Sequence, residues 1–375
     1  MDLNVVETWT ENILPSLLAE YPEENVFNAD ETGLFYHMMP NKTLHFRGER
    51  CTGGKQSKER ISVLVGANMA GTEKLKLLVI GKAEKPRCFK NVKSLPVDYK
   101  NNRKAWMTSD IFVDWLKSLD KKFRVQNRHC LMIVDNCTSH PNPLPVKLTN
   151  LTINFLPKNT TSHTQPCDAG IIRDLKRKYR TRLIRKMLAQ IDASPTSSNF
   201  KPNILDAIRM ISAAWEEVKP ETVKNCFRKA GWKKTDGTSI QTENVEDDED
   251  TIPLSVLRER LRLPETMTFE DYVNVDNDVQ AHEELTEEDI LASLQSTEIP
   301  FDEEEEDEDD NDGSHFIENR VCAATDAKHY LTELRRFFEY RAITSDVEFS
   351  SIAKLESSLL KNVNNNQTSI QDYFQ

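Results

Sequence analysis

The segment Cys130–Val134 (CLMIV) is apolar at every position and closes on Asp135. A strand without polar alternation has both faces covered, so this run predicts the centre of a sheet with helices packed on either side. A second run, Val26 to Asp30 (VFNAD), also ends on an aspartate, and the chain is expected to turn directly after it at Glu31-Thr32-Gly33. Two buried strands that finish on a charge place those charges at a sheet edge, and that limits the folds open to the chain.

Three further runs read as strands: 43–48 (TLHFRG), 60–68 (RISVLVGAN) and 75–81 (LKLLVIG). Gly53-Gly54 and Ala70-Gly71 separate them by short turns, which predicts an antiparallel meander. A helix capped by Thr108 or Ser109 follows, with Ile111, Phe112, Trp115, Leu116 and Leu119 at helical spacing. LTINFLP (151–157) reads as one more strand. From Asp168 to about Gln190, Ile172, Leu175, Tyr179, Leu183 and Met187 form an apolar stripe. Arg173, Lys176, Arg177, Lys178, Arg180, Arg182, Arg185 and Lys186 are expected to cover the solvated remainder of that helix. Residues 203–218 form another amphipathic helix, and Pro220 starts a short one that Gly231 ends. The order predicts an α/β fold, a mixed sheet flanked by helices.

Past Gln241 the composition changes. Residues 1–240 carry 39 Lys and Arg against 25 Asp and Glu, whereas residues 241–375 carry 10 against 36. A basic body with an acidic tail predicts nucleic-acid binding, with the tail screening the surface or serving solubility. The runs 243–250 and 302–312 are acidic and predict disorder. Residues 316–340 and 345–361 are periodic enough for two helices. Four units follow: a domain over 1–235, an acidic, largely disordered linker with short helices over 236–315, a helical tail over 316–362, and a disordered end over 363–375. No stretch approaches the roughly 20 apolar residues of a membrane span. The first 21 residues do not read as a signal peptide, and the seven cysteines, with no CxxC pair, predict a reducing, intracellular compartment.

Within the basic body Asp30 and Asp135 end apolar runs, and Asp168 opens a helix after a polar loop. Carboxylates gathered at one sheet edge repel one another unless cations compensate them. Mg²⁺ or Mn²⁺ suits such oxygen ligands, and two ions about 3.5–4 Å apart can assist both the attacking and the leaving oxygen of a phosphodiester. Singly, each aspartate could equally be a turn or cap residue.

Three blocks, NADETG (28–33), VDNCTSHP (134–141) and QPCDAGIIRDLKRKY (165–179), resemble the DDE superfamily endonuclease domain of pogo/Tigger transposases, within the wider mariner assemblage. GKQSKERISVLVGANMAG (54–71), LLVIGKAEKPRCFK (77–90) and PETVKNCFRKAGW (220–232) extend the likeness over roughly residues 1–235. The resemblance implies a ribonuclease-H-like fold. By position it assigns Asp30, Asp135 and Asp168 as the catalytic, metal-holding triad, with two Mg²⁺ or Mn²⁺ ions. It implies DNA as partner, a possible homodimer and a nuclear location. The family usually carries N-terminal helix-turn-helix domains of the CENP-B type, and this sequence begins at the segment that would link them to the nuclease domain. A fragment, a truncated isoform or a domesticated derivative is therefore expected. The leading function is DDE-type phosphodiester cleavage or joining; the alternative is a catalytically silent, domesticated DNA-binding or chromatin protein.

Lys55, Lys58 and Arg60 beside the Gly-Gly turn, Lys158, and Arg173, Lys176 and Arg177 are the candidate contacts to DNA backbone. A CxxH…HxxxC pattern (Cys137, His140, His163, Cys167) has zinc-like spacing, but its members flank the aspartate motifs; His140 and His163 fit the rim of the site or simple packing. At the C-terminus Gln367, Ile370, Tyr373 and Phe374 spell QxxIxxYF, similar to the PIP box that docks on the sliding clamp PCNA. One turn would set Ile370, Tyr373 and Phe374 on one side as a plug for an apolar pocket.

Overall fold

A computed structural model describes residues 3–38, 59–158, 160–193, 202–232, 269–276, 279, 281, 324–341 and 346–365. The expected strand at 43–48, Lys55, Lys58, both acidic runs and the QxxIxxYF motif lie outside the described residues.

Six strands form one sheet: β1 (Val26–Phe35), β2 (Arg60–Asn68), β3 (Leu78–Gly81), β4 (Asp98–Asn101), β5 (Cys130–Val134) and β6 (Leu151–Phe155). Their order is β4-β3-β2-β1-β5-β6. β1, β2 and β3 run antiparallel; of the expected meander, 60–68 and 75–81 pair antiparallel as β2 and β3, with β1 on the other side of β2. On the other side of β1, β5 and then β6 add in parallel. A three-stranded antiparallel unit extended by parallel strands beyond its first member is the ribonuclease-H-like arrangement, so the expected fold class holds.

Two details differ from the sequence reading. The chain does not turn at Glu31-Thr32-Gly33: β1 continues to Phe35 and pairs with β2 from Phe27↔Asn68 to Phe35↔Arg60. The polar residues of NADETG look like a turn, yet Asn28, Asp30, Glu31 and Thr32 are all buried, and Asn28 and Glu31 meet partners from distant parts of the chain. Gly33 belongs in that strand because a Cβ there would collide with Val279. The second difference is β4, a polar edge strand (DYKN) that hydropathy alone does not mark; it pairs in parallel with β3.

Strand alternation sorts side chains into two cores. Val26, Leu34, Leu131 and Ile133 face one side, and Phe27, Ala29, Cys130, Met132 and Val134 the other. Helix α1 (Ser109–Val125), whose first turn Thr108 caps through Ile111 N, covers the second side with Phe112, Leu116 and Phe123. The first side is covered by α2 (Ile172–Ala193), α3 (Ile204–Glu217) and α4 (Pro220–Lys229). Asn203 and Asp206 form a reciprocal cap on α3, and Gly231 adopts φ 80° just past α4.

The stripe Leu175, Tyr179, Leu183 and Met187 is buried as expected, but the cations between these positions are not a solvated face. Lys176, Lys178, Arg180 and Arg182 are also buried. The reason is a further layer from the C-terminal part of the chain. The short helix α5 (Phe269–Val273) and residues 274–276 lie over β1 and α2, where Arg180 pairs with Asp276 and Tyr272 Oη donates to Met38 O at 2.7 Å. Helices α6 (Ala324–Glu339) and α7 (Asp346–Asn365) pack together through Arg335 and Glu356 at 2.7 Å. Glu339 is held by Arg209 of α3 (Nε–Oε1 2.8 Å). No helix among the described residues is long and apolar enough to cross a membrane.

Candidate metal centre

The parallel register of β1 on β5, ending at Asn28↔Ile133, brings Asp30 and Asp135 to the same sheet edge, each two residues further on. The same alternation points Asp30 toward the side covered by α2, whereas the Asp135 carboxylate, one residue past β5, turns to His140, which stacks on Phe112 of α1. Asp168 arrives on the turn Cys167–Ile171 that leads into α2; Gly170, at φ 155°, bends it. One side chain fastens the three segments. Asn28, fully buried, donates from Nδ2 to Ile133 O at 2.8 Å and accepts at Oδ1 from Cys167 N at 2.9 Å. It thus links β1 to the residue two before Asp135 and to the residue one before Asp168. We expect Asn28→Ala to leave a buried N–H and C=O unpaired and to lower stability by about 2–3 kcal/mol, read as an earlier urea midpoint with an unchanged slope.

The carboxylates perturb one another. Burial pushes Asp30 well above the usual carboxylate range, and Asp168, Asp135 and Glu31 add to it. Asp168 is raised chiefly by its own burial, while its hydrogen bond with Asp30 acts in the opposite direction. The two carboxyls are thus close enough to perturb one another's ionisation. Gln165 also hydrogen-bonds Asp30; it is 2% exposed, and among the described residues its Oε1 has no hydrogen-bond partner. Buried oxygen donors in excess, with an amide oxygen left over, match a hydrated divalent cation in donor chemistry.

Asp135 is engaged differently. Its Oδ1 lies 2.7 Å from His140 Nδ1, and His140 Nε2 lies 3.1 Å from Glu31 Oε1. Burial alone would lower the His140 pKa, but Glu31 and then Asp135 and Cys137 outweigh it and hold the ring well above its ordinary value. Glu31, Asp135, Cys137 and His140 bring one ligand atom each within 4.8 Å of one another. Asp30 and Asp168 stand outside that compact group. The zinc-like CxxH…HxxxC set does not assemble: Cys167 is buried against Asn28 O and Val65 O, and His163 bonds Ser162.

Of the candidate DNA contacts, Lys158 is exposed just beyond β6, at the edge where Asp135 lies. Arg173 is exposed and paired with Glu270 at 2.7 Å; Arg177 is partly buried. Lys176 is buried and held down at about 8, with Asp276, Asp168 and Asp30 opposing the shift, so it belongs to the electrostatic surroundings of the carboxylates. Arg60 stacks over Trp106 at 4.9 Å. Sequence reading did not single out Asn28, Glu31 or Gln165. Their only sign was polarity inside otherwise apolar strand and turn segments.

A sheet of this topology with aspartates at one edge defines a nuclease-like α/β class, and the comparisons name the family. The profile of the DDE superfamily endonuclease matches residues 58–227. Mouse Tigger transposable element-derived protein 4 is 35% identical over 358 residues, covering 93% of this chain and 67% of that protein. The chain belongs to this Tigger transposable element-derived family. Human Jerky protein homolog is 34% identical over 225 residues, and human major centromere autoantigen B is 30% identical over 231. This chain spans only 38% and 37% of their respective lengths. Among solved structures, the catalytic domain of Mos1 mariner transposase is 12% identical with a TM-score of 0.30, covering 62% of this chain and 96% of that chain. That likeness is too distant to bear on function.

Proposed function

We propose that the chain is a DNA-binding, transposase-like nuclease domain in which Asp30, Asp135 and Asp168 hold divalent cations. The observation that carries the reading is the convergence of the three segments at one sheet edge, with carboxylates close enough to disturb one another's ionisation. Bound there, Mg²⁺ or Mn²⁺, as a pair, would polarise the scissile phosphate and lower the pKa of an attacking water or 3′-hydroxyl. The chain's own part is to keep three short side chains rigid and to hold the backbone phosphates. Lys158 is the described cation best placed for that contact, with Lys55 and Lys58 as further candidates from the sequence. A nuclear location, a homodimer and docking on the sliding clamp through Gln367, Ile370, Tyr373 and Phe374 complete the proposal; the clamp contact rests on the motif alone.

A second reading, a DNA-binding protein without turnover, is favoured by one feature: Asp135 is bound to His140 and lies apart from the Asp30–Asp168 pair in ligand grouping. A supercoiled-plasmid nicking assay with Mn²⁺ or Mg²⁺ separates the two. The proposal expects cutting by the wild type and none by Asp135→Ala. Equal cutting by both proteins would remove the triad as the nuclease centre, and cutting by neither would favour the silent reading.

A further inference from the structure

His140 is held from three directions. Its Nδ1 lies 2.7 Å from Asp135 Oδ1 and 3.2 Å from the Asp135 carbonyl oxygen. Its Nε2 meets Glu31 Oε1 of β1 at 3.1 Å, and its ring stacks on Phe112 of α1, with centroids 3.9 Å apart and planes inclined by 29°. The His140 and Glu31 side chains are 0% and 2% exposed, whereas Asp135 keeps 16% of its side chain open. Glu31 therefore lies with the ring on the inner side, and Asp135 is the member that reaches the surface. Restraint from a second strand and a helix fixes the ring's position, tilt and rotation together. Simple packing of a histidine would need only the apolar contact.

We infer that His140 is a positioning residue: braced by Glu31 and Phe112, it fixes the backbone and carboxylate of Asp135 in place for a divalent cation. The inference rests on the metal-site reading of Asp30, Asp135 and Asp168. Hydrogen bonds behind a ligand set its orientation, and their loss commonly weakens metal affinity about 10–100-fold. Glu31 has the complementary duty of keeping the imidazole from rotating away.

The test is Mn²⁺ binding by the full chain, followed by electron paramagnetic resonance of free Mn²⁺, with a thermal melt of each variant. His140→Ala would leave Glu31 buried without its partner and can fail to fold. The informative variant is therefore the double replacement Glu31→Leu/His140→Leu, which exchanges the buried polar pair for an apolar one. We expect it to fold and to bind Mn²⁺ about 10–100-fold more weakly than the wild type. His140→Gln, which keeps one donor near Asp135, should recover part of the loss. Affinity within twofold of the wild type in the folded double variant would overturn the positioning role. So would stoichiometric Zn²⁺ binding that Cys137→Ser abolishes, since the cluster would then itself be the metal site. Asp135→Ala distinguishes the two levels of the argument. If it leaves Mn²⁺ binding unchanged, the metal-site reading fails. If it abolishes binding while the folded double variant binds within twofold of the wild type, the positioning role alone fails.

Discussion

Replacing Arg180 by leucine should destabilise the protein by about 3–5 kcal/mol, the usual consequence of removing one partner from a buried ion pair. Neither the Arg180 nor the Asp276 side chain has any exposure. The guanidinium also donates to Phe35 O at 2.9 Å and Met38 O at 3.1 Å, and lies 4.9 Å from the Tyr272 ring centre. Without it, the Asp276 carboxylate keeps, among the described residues, its bond from Phe35 N at 3.1 Å and the field of the nearby Lys176. Such a loss is a large fraction of the 5–15 kcal/mol that typically separates folded from unfolded chains. Removing the second charge as well, in Arg180→Leu/Asp276→Leu, should recover most of the loss, because an apolar pair avoids the desolvation of both ions. Urea denaturation of both variants checks this. A double variant as unstable as the single one would show that the carbonyl contacts, and not the uncompensated carboxylate, dominate.

The second large effect has opposite signs on stability and on chemistry. Asp30→Asn should raise metal-free stability by about 1–2 kcal/mol, in the manner of other substitutions that relieve a strained functional site. It should also lower metal-dependent cutting by about 10³-fold or more, as loss of one member of a cooperating set does. Asp30 is raised in the folded protein, first by burial and then by Asp168 and Asp135. The native state therefore holds a proton that the unfolded chain has released once pH passes its ordinary value of 3.8. Its contribution is fully present below that value and is lost as pH climbs through the raised native value. Wild-type protein without metal should accordingly lose stability over that climb, and the Asn variant should lose less. Adding Mn²⁺ should raise the wild-type melting temperature most at the upper end of this range and raise that of Asp30→Asn little. Identical pH profiles for the two proteins would mean that Asp30 carries no such penalty.

Much of this architecture was legible because hydrophobic pattern alone decides it. CLMIV has to be a central strand, and the Ile204–Trp215 stripe has to be a helix on a core. The aspartates were legible through the sequence blocks around them. What escaped depended on partners far away in the chain. NADETG reads as a turn because its polar residues have no local reason to be buried; Asn28, Asp30 and Glu31 are buried because Ile133, Cys167, Asp168 and His140 meet them there. The lysines and arginines of α2 read as solvated because periodicity cannot reveal a second layer supplied by residues far later in the chain, Asp276 over Arg180 and Ser357 beside Arg182 among them. β4 was missed for the complementary reason: an edge strand needs only backbone pairing, and DYKN carries no pattern that advertises it.

The bracket made by Asn28 bears on how the two halves of the centre can diverge. Asp135 and Asp168 are separated by 32 residues, but that interval is not the ruler that sets their distance. Both ends are registered against β1 by a single amide, through Ile133 O and Cys167 N. Residues added or lost in the stretch 141–147, past the buried Ser139 and His140 and before β6, would change the count without moving either carboxylate. A survey by segment deletion should therefore find length between the second and third aspartate to be a permissive variable, and position 28 an intolerant one.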